Sequence, residues 1–350
     1  MKRPEVTILM TSYNHGKFIR ESIESVLRQS FSDFELIIVD DCSFDDSFEI
    51  IKSYTDDRII AIRNEKNMGP EHAFEIMFKM ARGKYIAIAD SDNVWVNDKL
   101  EKQINFLKTN SGYAAVFTRV QLIDGDGEPF QGDSAYARIF DVENRSRQEW
   151  LKQFFYHGNC LCHPSVLIRR EMYDECGMMV NGLWQVPDFY KWIRLCLKKE
   201  IYVLEERLVK FRLHENNISG EGNVEGNTRL NNEVYHTYEL FYEVSEEDFP
   251  AVFDIPDEYK KNGQIKTNFV LSKMLLELGV PAAQELGLNK LFEILNNESE
   301  RGEIFELYKY DNVSYKEDET RYCPFLCSEP IPIRQSAWMR ILHRIKSFVN

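Results

Sequence analysis

Val6-Thr7-Ile8-Leu9-Met10-Thr11-Ser12-Tyr13-Asn14 is the stretch that decides the fold. Its first five residues read as a buried strand. The polar residues after them lead into Lys17 to Gln29, where Ile19, Ile23, Val26 and Leu27 share one helical face. This strand–helix unit recurs. Phe34 to Val39 reads as a second strand with a helix from Asp46 to Tyr54, and Arg58 to Ile62 as a third with a helix from Pro70 to Ala81. Tyr85 to Ala89 is a fourth strand, with a helix from Asn97 to Lys108. Continuously apolar strands between amphipathic helices predict an α/β fold with a mainly parallel sheet covered on both faces. Such sheets bind ligands beyond the carboxyl ends of their strands, and three of these ends are polar here: Thr11 to Asn14, Asp40-Asp41 and Asp90-Ser91-Asp92.

The 350 residues are 43% apolar and 13% aromatic, which excludes a disordered chain, a disulfide miniprotein and a collagen-like fibre. That length allows one large domain plus a smaller addition. With 57 acidic against 43 basic residues, the net charge of −14 repels a phosphate backbone, so no nucleic-acid partner is expected. Seven scattered cysteines fit neither a disulfide framework nor a zinc site and point to a reducing cytoplasm. Cys160 and Cys162 have no partner pair nearby and read as buried thiols. Val6 to Met10 is too short for a secretory core, and no run approaches the ~20 apolar residues of a membrane span.

An acidic rim repels itself unless something positive joins it, and Mg²⁺ or Mn²⁺ with a phosphorylated ligand would resolve the repulsion. Asp90 and Asp92 alternate, so in an extended segment both carboxylates face one ligand. Acidic pairs in turns are more often only solvated or capping. The position of this pair at the end of a buried strand favours function. For Asp40-Asp41-Cys42-Ser43, helix capping and ligand binding stay equally open. Tyr13 offers a face for stacking a base and a hydroxyl for hydrogen bonding.

Val6 to Asn14, Ser25-Val26-Leu27-Arg28-Gln29-Ser30-Phe31, Phe34 to Ser43 and Ala81 to Asp92 resemble, in order and separation, successive motifs of the family 2 glycosyltransferases. The likeness covers about the first 220 residues. It implies a GT-A, Rossmann-like fold and inverting transfer from a nucleoside-diphosphate sugar donor, with a UDP-sugar favoured. The resemblance places Thr11 and Tyr13 in the nucleotide pocket, Asp41 on the uracil ring, Asn67 beside the base and Asp90 near the ribose. It makes Asp92 the ligand of a Mn²⁺ or Mg²⁺ bridging the two phosphates.

Pro187-Asp188-Phe189-Tyr190-Lys191-Trp192 resembles the family's Glu-Asp motif at a helix start, with Pro187 in place of the first acid. Asp188 is then the general base; the alternative is a helix-capping aspartate. Phe211-Arg212-Leu213-His214 resembles the family's arginine-x-histidine strand end. There Arg212 would steady phosphate and His214 complete the metal site, although a lone histidine is commonly structural. His157 and His163 read as structural.

The expected organisation is a catalytic domain over 1–225, divided into a nucleotide-sugar half (1–110) and an acceptor half (111–225), then a helical region over 226–330. Its helices are read at Thr228 to Val244, Glu258 to Leu278 and Ala282 to Leu295. The final segment, 331–350, patterns as a basic amphipathic helix. Through residues 334–350 it either lies on an anionic membrane surface or packs on the protein. The expected acceptor is a glycan or lipid-linked glycan, by analogy in bacterial surface polysaccharide synthesis, in the cytoplasm or peripherally on the inner face of the plasma membrane. Rivals are a polyprenyl-phosphate sugar synthase, which differs in acceptor, a non-catalytic nucleotide-sugar-binding module, and a nucleotidyltransferase. The last needs a glycine-rich loop where this chain has Thr11 to Gly16.

Overall fold

The structure is a computed structural model that describes residues 3–132, 139–214, 224–261 and 263–322. Strands β1 (Val6–Ser12), β2 (Phe34–Asp40), β3 (Ile59–Arg63) and β4 (Tyr85–Asp90) alternate with helices α1 (Ile19–Leu27), α2 (Ser47–Lys52) and α3 (Pro70–Met80). A short β5 (Val94–Trp95) precedes α4 (Lys99–Thr109). The chain then adds β6 (Tyr113–Ile123), β7 (Leu167–Arg169) and β8 (Glu200–Arg212). All eight strands form one sheet in the order β3-β2-β1-β4-β7-β6-β8-β5.

β1 lies between β2 and β4, parallel to both. That accounts for its unbroken apolar run: a strand with neighbours on both edges and helices on both faces has no polar side. The register sets Thr11 opposite Val39 and Asp90, and Ser12 opposite Asp40, so the polar strand ends meet at one rim. β2 and β3 extend the sheet on one side of β1 and β4 on the other, and the crevice at this reversal is where open α/β sheets take their ligands. Past β4 the sheet is mixed: β7 runs antiparallel to β4 and β6, and β5 antiparallel to β8.

Gly83, in the loop entering β4, shows what one motif position is for. A Cβ there would stand 2.3 Å from the Thr7 backbone nitrogen and 2.6 Å from the Val6 carbonyl carbon. Its own N–H donates to Thr7 Oγ1 at 2.7 Å, and the preceding Arg82 pairs with the buried Glu35. Gly83→Ala is expected to cost about 2–4 kcal/mol by wedging β1 from β4. Its thermal midpoint should fall by several degrees, and an unchanged midpoint would contradict this packing.

The compact units are Met1–Leu271 and Ser272–Asn350, so residues 224–271 cluster with the first unit although the sequence reading ends the catalytic domain at 225. Helix Val224–Glu239 belongs to it. The helix read from Glu258 begins only at Thr267, because Lys261 and Gln264 close a bridged turn first. In the second unit, helix Pro281–Asn296 buries Ala283, Leu286 and Leu291, and Glu298–Tyr308 and Asn312–Tyr322 are two helices that the sequence reading does not contain. The segment 331–350 lies outside the described residues. No described helix is long and apolar enough to cross a membrane.

Candidate active site

The loop after β1 is fastened to the loop after β2. Asn14 takes a left-handed conformation (φ 54°) and donates its N–H to Ser43 Oγ, while its Oδ1 accepts from the Phe44 N–H. The His15 and Gly16 N–H groups donate to Ser47 Oγ and Asp45 Oδ2. Asp40, fully buried, accepts from both the N–H and the hydroxyl of Ser43, so it organises this loop rather than capping a helix. Tyr13 is left 38% exposed at the rim, in a T-shaped contact with Phe44 at 6.3 Å between centroids. Asp41 accepts from Asn64 Nδ2 at 2.7 Å and from the N–H groups of Met68 and Gly69 at 3.0 and 2.8 Å. Exposed Asn67 turns its Oδ1 onto the same Gly69 N–H. The 64–69 loop is therefore built on the Asp41 carboxylate.

Asp90 ends β4 opposite Thr11. Burial pushes its carboxyl up to about 8, with the Asp92 and Asp188 charges adding to the rise and a bond from Asn93 opposing it. Asp92 is 6% exposed; its Oδ2 lies 3.0 Å from His214 Nε2, while its buried Oδ1 has no hydrogen-bond partner among the described residues. His15 stands beside them, and one ligand atom each from His15, Asp92 and His214 lies within 4.8 Å of the others. The ring of Phe18 walls both imidazoles, with centroids 6.3 Å from His15 and 4.9 Å from His214.

The Arg212 side chain is 1% exposed and spent inside the protein: Nε donates to the Asp92 carbonyl, one Nη to the Asp124 carbonyl and the other to Glu21 at 2.6 Å. Its backbone N–H donates to Asn93 Oδ1. These bonds hold the 92–93 turn against the end of β8 and engage the guanidinium that the sequence reading places on phosphate.

Asp188 opens the helix Pro187–Cys196. Its Oδ1 accepts from the Phe189 N–H and its Oδ2 from Asn159 Nδ2, both at 2.8 Å. Burial raises its carboxyl to about 6; those two bonds and the Lys191 charge hold the rise back, and Glu71 adds to it. Lys191 and Glu71 form a buried pair at 2.8 Å that ties this helix to the start of α3. Beneath the rim, the Cys162 thiol is pushed up by burial and then by the charges of Asp90 and Asp188. Cys160 and Cys162 are free and buried, as expected from the sequence.

Three supporting residues escaped the sequence reading. Asn159 lies in a loop with no motif around it. His15 follows the polar turn but gives no sign of its distant partners. Glu233, 4% exposed on helix Val224–Glu239, accepts the N–H groups of Trp184, Gln185 and Val186 at 2.9, 2.7 and 3.0 Å. It thereby clamps the segment just ahead of Asp188. Trp184 in turn covers Gly69, where a Cβ would lie 2.4 Å from the indole ring, so the clamp reaches the loop built on Asp41.

The crevice at the β1 and β4 ends is thus lined by Asp90 and Asp92 with the imidazoles of His15 and His214, the place where a doubly wound sheet takes its ligand. The model of "Glycosyl transferase family 2" matches residues 7–177. A putative teichuronic acid biosynthesis glycosyltransferase, TuaG, of Bacillus subtilis is 35% identical over 221 residues, 62% of this chain and 82% of that one. A UDP-Glc:alpha-D-GlcNAc-diphosphoundecaprenol beta-1,3-glucosyltransferase of Escherichia coli is 28% identical over 218 residues, 61% of this chain and 79% of that one. Among solved structures, S. aureus TarS 1-349 in complex with UDP-GlcNAc superposes with a TM-score of 0.58 at 16% identity, covering 89% of this chain and 92% of that one. The chain belongs to glycosyltransferase family 2.

Proposed function

We infer that this glycosyltransferase moves a sugar from a UDP-sugar, with inversion, to a hydroxyl of a glycan carried on a lipid diphosphate, at the membrane surface where such acceptors lie. The observation that carries the reading is Asp188: a carboxylate with a raised affinity for protons shares its electrostatic surroundings with Asp90, at the crevice where the donor would bind. The relatives' printed donor and acceptor favour UDP and a lipid-linked glycan.

In this reading Thr11 and Tyr13 flank the nucleotide and Asn67 borders the base. Asp41 offers the acceptor capacity that its three protein donors leave to the uracil N–H. Asp90 takes the ribose hydroxyls. Asp92 and His214 would hold Mn²⁺ or Mg²⁺; the unpartnered Asp92 Oδ1 and the adjacent imidazole fit a divalent cation. Charge developing on the departing diphosphate would be neutralised by that ion. Asp188 takes the proton of the acceptor hydroxyl as its oxygen bonds to the anomeric carbon and the bond from that carbon to the diphosphate breaks. Asn159 and the Phe189 N–H keep the carboxylate aimed while it does so.

The test is product release from UDP-, GDP-, dTDP- and CMP-sugars, with a sugar-diphosphate lipid or a polyprenyl phosphate as acceptor and with Mn²⁺, Mg²⁺ or EDTA. Turnover of a UDP-sugar with the glycan acceptor, abolished by EDTA, is expected. Turnover indifferent to EDTA would sink the metal assignment, and transfer only to polyprenyl phosphate would make the chain a lipid-phosphate sugar synthase.

A further inference from the structure

We propose that His15 is a third protein ligand of the cation, making a site of two imidazoles and one carboxylate that selects Mn²⁺ over Mg²⁺. The inference rests on the metal site proposed above and extends it to a residue on a different loop, the one after β1.

Three observations carry it. The ligand atoms of His15, Asp92 and His214 lie within 4.8 Å of one another, although 77 residues separate the first two and 122 the last two. Ligands about 2.1 Å from an ion and at right angles to one another stand ~3 Å apart, and His214 Nε2 and Asp92 Oδ2 already do, at 3.0 Å. Closing His15 onto them needs a movement of about 2 Å or less, within the reach of a side-chain rotation. Second, both imidazoles are oriented before any ion arrives. His15 Nδ1 meets Ser91 Oγ at 2.7 Å, its backbone N–H is held by Ser47, and the two rings pack edge to face at 5.5 Å against Phe18. The Ser91 bond engages Nδ1 of His15 and holds the ring in place, so that its other nitrogen is the one offered to an ion. Third, Asp92 Oδ1 is buried and unpartnered among the described residues, a state that a positive charge at this spot relieves.

The consequence is selectivity. Mg²⁺ strongly prefers oxygen and dehydrates reluctantly, whereas first-row transition ions accept imidazole readily. Two nitrogen ligands therefore disfavour Mg²⁺, and three protein ligands leave the remaining positions of a six-coordinate ion for diphosphate oxygens and water.

Pulsed electron paramagnetic resonance of the full chain loaded with Mn²⁺ and UDP tests this directly. ³¹P coupling reports that the ion sits on the diphosphate, and ¹⁴N couplings count imidazoles. The proposal expects two nitrogens in the wild type, one in His15→Ala or His214→Ala, and none in the double variant. Mn²⁺ binding should weaken about tenfold or more in each single variant. His15→Gln, which keeps a polar group near Ser91, should likewise lose one nitrogen and narrow the preference for Mn²⁺ over Mg²⁺ in a competition titration. ³¹P coupling with a nitrogen count unchanged by both His15 variants would overturn the role of His15 while leaving the proposed function standing. Loss of ³¹P coupling in the wild type, with Mn²⁺ binding insensitive to Asp92→Asn, would overturn the metal site itself.

Discussion

Asp188→Asn should lower kcat by about 10²–10⁴-fold while making the folded protein more stable at neutral pH. The two effects have one cause. Burial raises the Asp188 carboxyl to about 6, from an ordinary value near 3.8, so the folded state binds this proton more tightly than the unfolded chain does. Below the ordinary value both states are protonated and the fold keeps the full benefit. As pH rises through the folded value that benefit is lost, and at pH 7.5 the ionised carboxylate burdens the fold by on the order of 2–3 kcal/mol. Asparagine removes the charge but supplies only one acceptor oxygen for the Asn159 and Phe189 donors, which leaves a net gain of about 1–2 kcal/mol.

The thermal midpoint of Asp188→Asn should therefore exceed that of the wild type by a few degrees at pH 7.5, and the gap should close below about pH 4. In wild-type kinetics, kcat/KM should climb with pH through about 6 to a plateau, because the base must be ionised to take a proton. Residual activity of the variant should lack that limb. The charged and titratable groups that act on or are acted on by Asp188 are Lys191 with its partner Glu71, Asp90 and the Cys162 thiol, so a control at Glu71 or Lys191 should move the midpoint of the limb without removing it. A variant that retains the limb would show that another group is the base.

The second large effect is expected at Glu233. Its two carboxylate oxygens accept three N–H groups from the segment 184–186, so Glu233→Gln turns an amide NH₂ toward backbone donors and leaves at least one of them unpaired. A destabilisation of about 2–3 kcal/mol is expected, with kcat reduced about tenfold to a hundredfold because Asp188 follows two residues after the clamped segment. UDP affinity should fall by less than turnover does, since the clamp reaches the loop built on Asp41 only through Trp184 against Gly69, while Asp41 keeps its own bonds to that loop. The pH limb near 6 should persist, which separates a clamp that aims the base from loss of the base itself. An equal collapse of UDP binding and turnover would instead mean that Glu233 supports the crevice as a whole.

How far the sequence reached can be seen residue by residue. Strands β1, β2 and β4 were legible because each is buried on both faces, so their composition is uniform whatever surrounds them. β6 and β8 were not. Their burial alternates irregularly along 11 and 13 residues, and their pairing slips between Thr118 and Val120, so neither the helical nor the strand period stands out. The strand end that carries Arg212 is legible in the motif, but the partners of its side chain are not. Residue type and motif predict a cation near phosphate, whereas only packing shows that Glu21 and two carbonyls already occupy it. The pattern turns helical after 225, which is why the sequence alone puts the domain boundary there. A change of secondary structure does not mark a change of packing unit when the new helix buries a carboxylate in the old one.

By itself the sequence determined the parallel strands, the acidic rim at their carboxyl ends and the position of Asp188 at a helix start. These are local properties, written in periodicity and in residues a few positions apart. Tertiary structure alone decided that His15, Asp92 and His214 converge, that Glu233 and Asn159 hold the segment and side chain at Asp188, and that Arg212 bonds the Asp92 carbonyl. Each of these depends on groups tens to nearly two hundred residues apart meeting within 5 Å, and no local pattern encodes a contact whose other half is folded in from elsewhere.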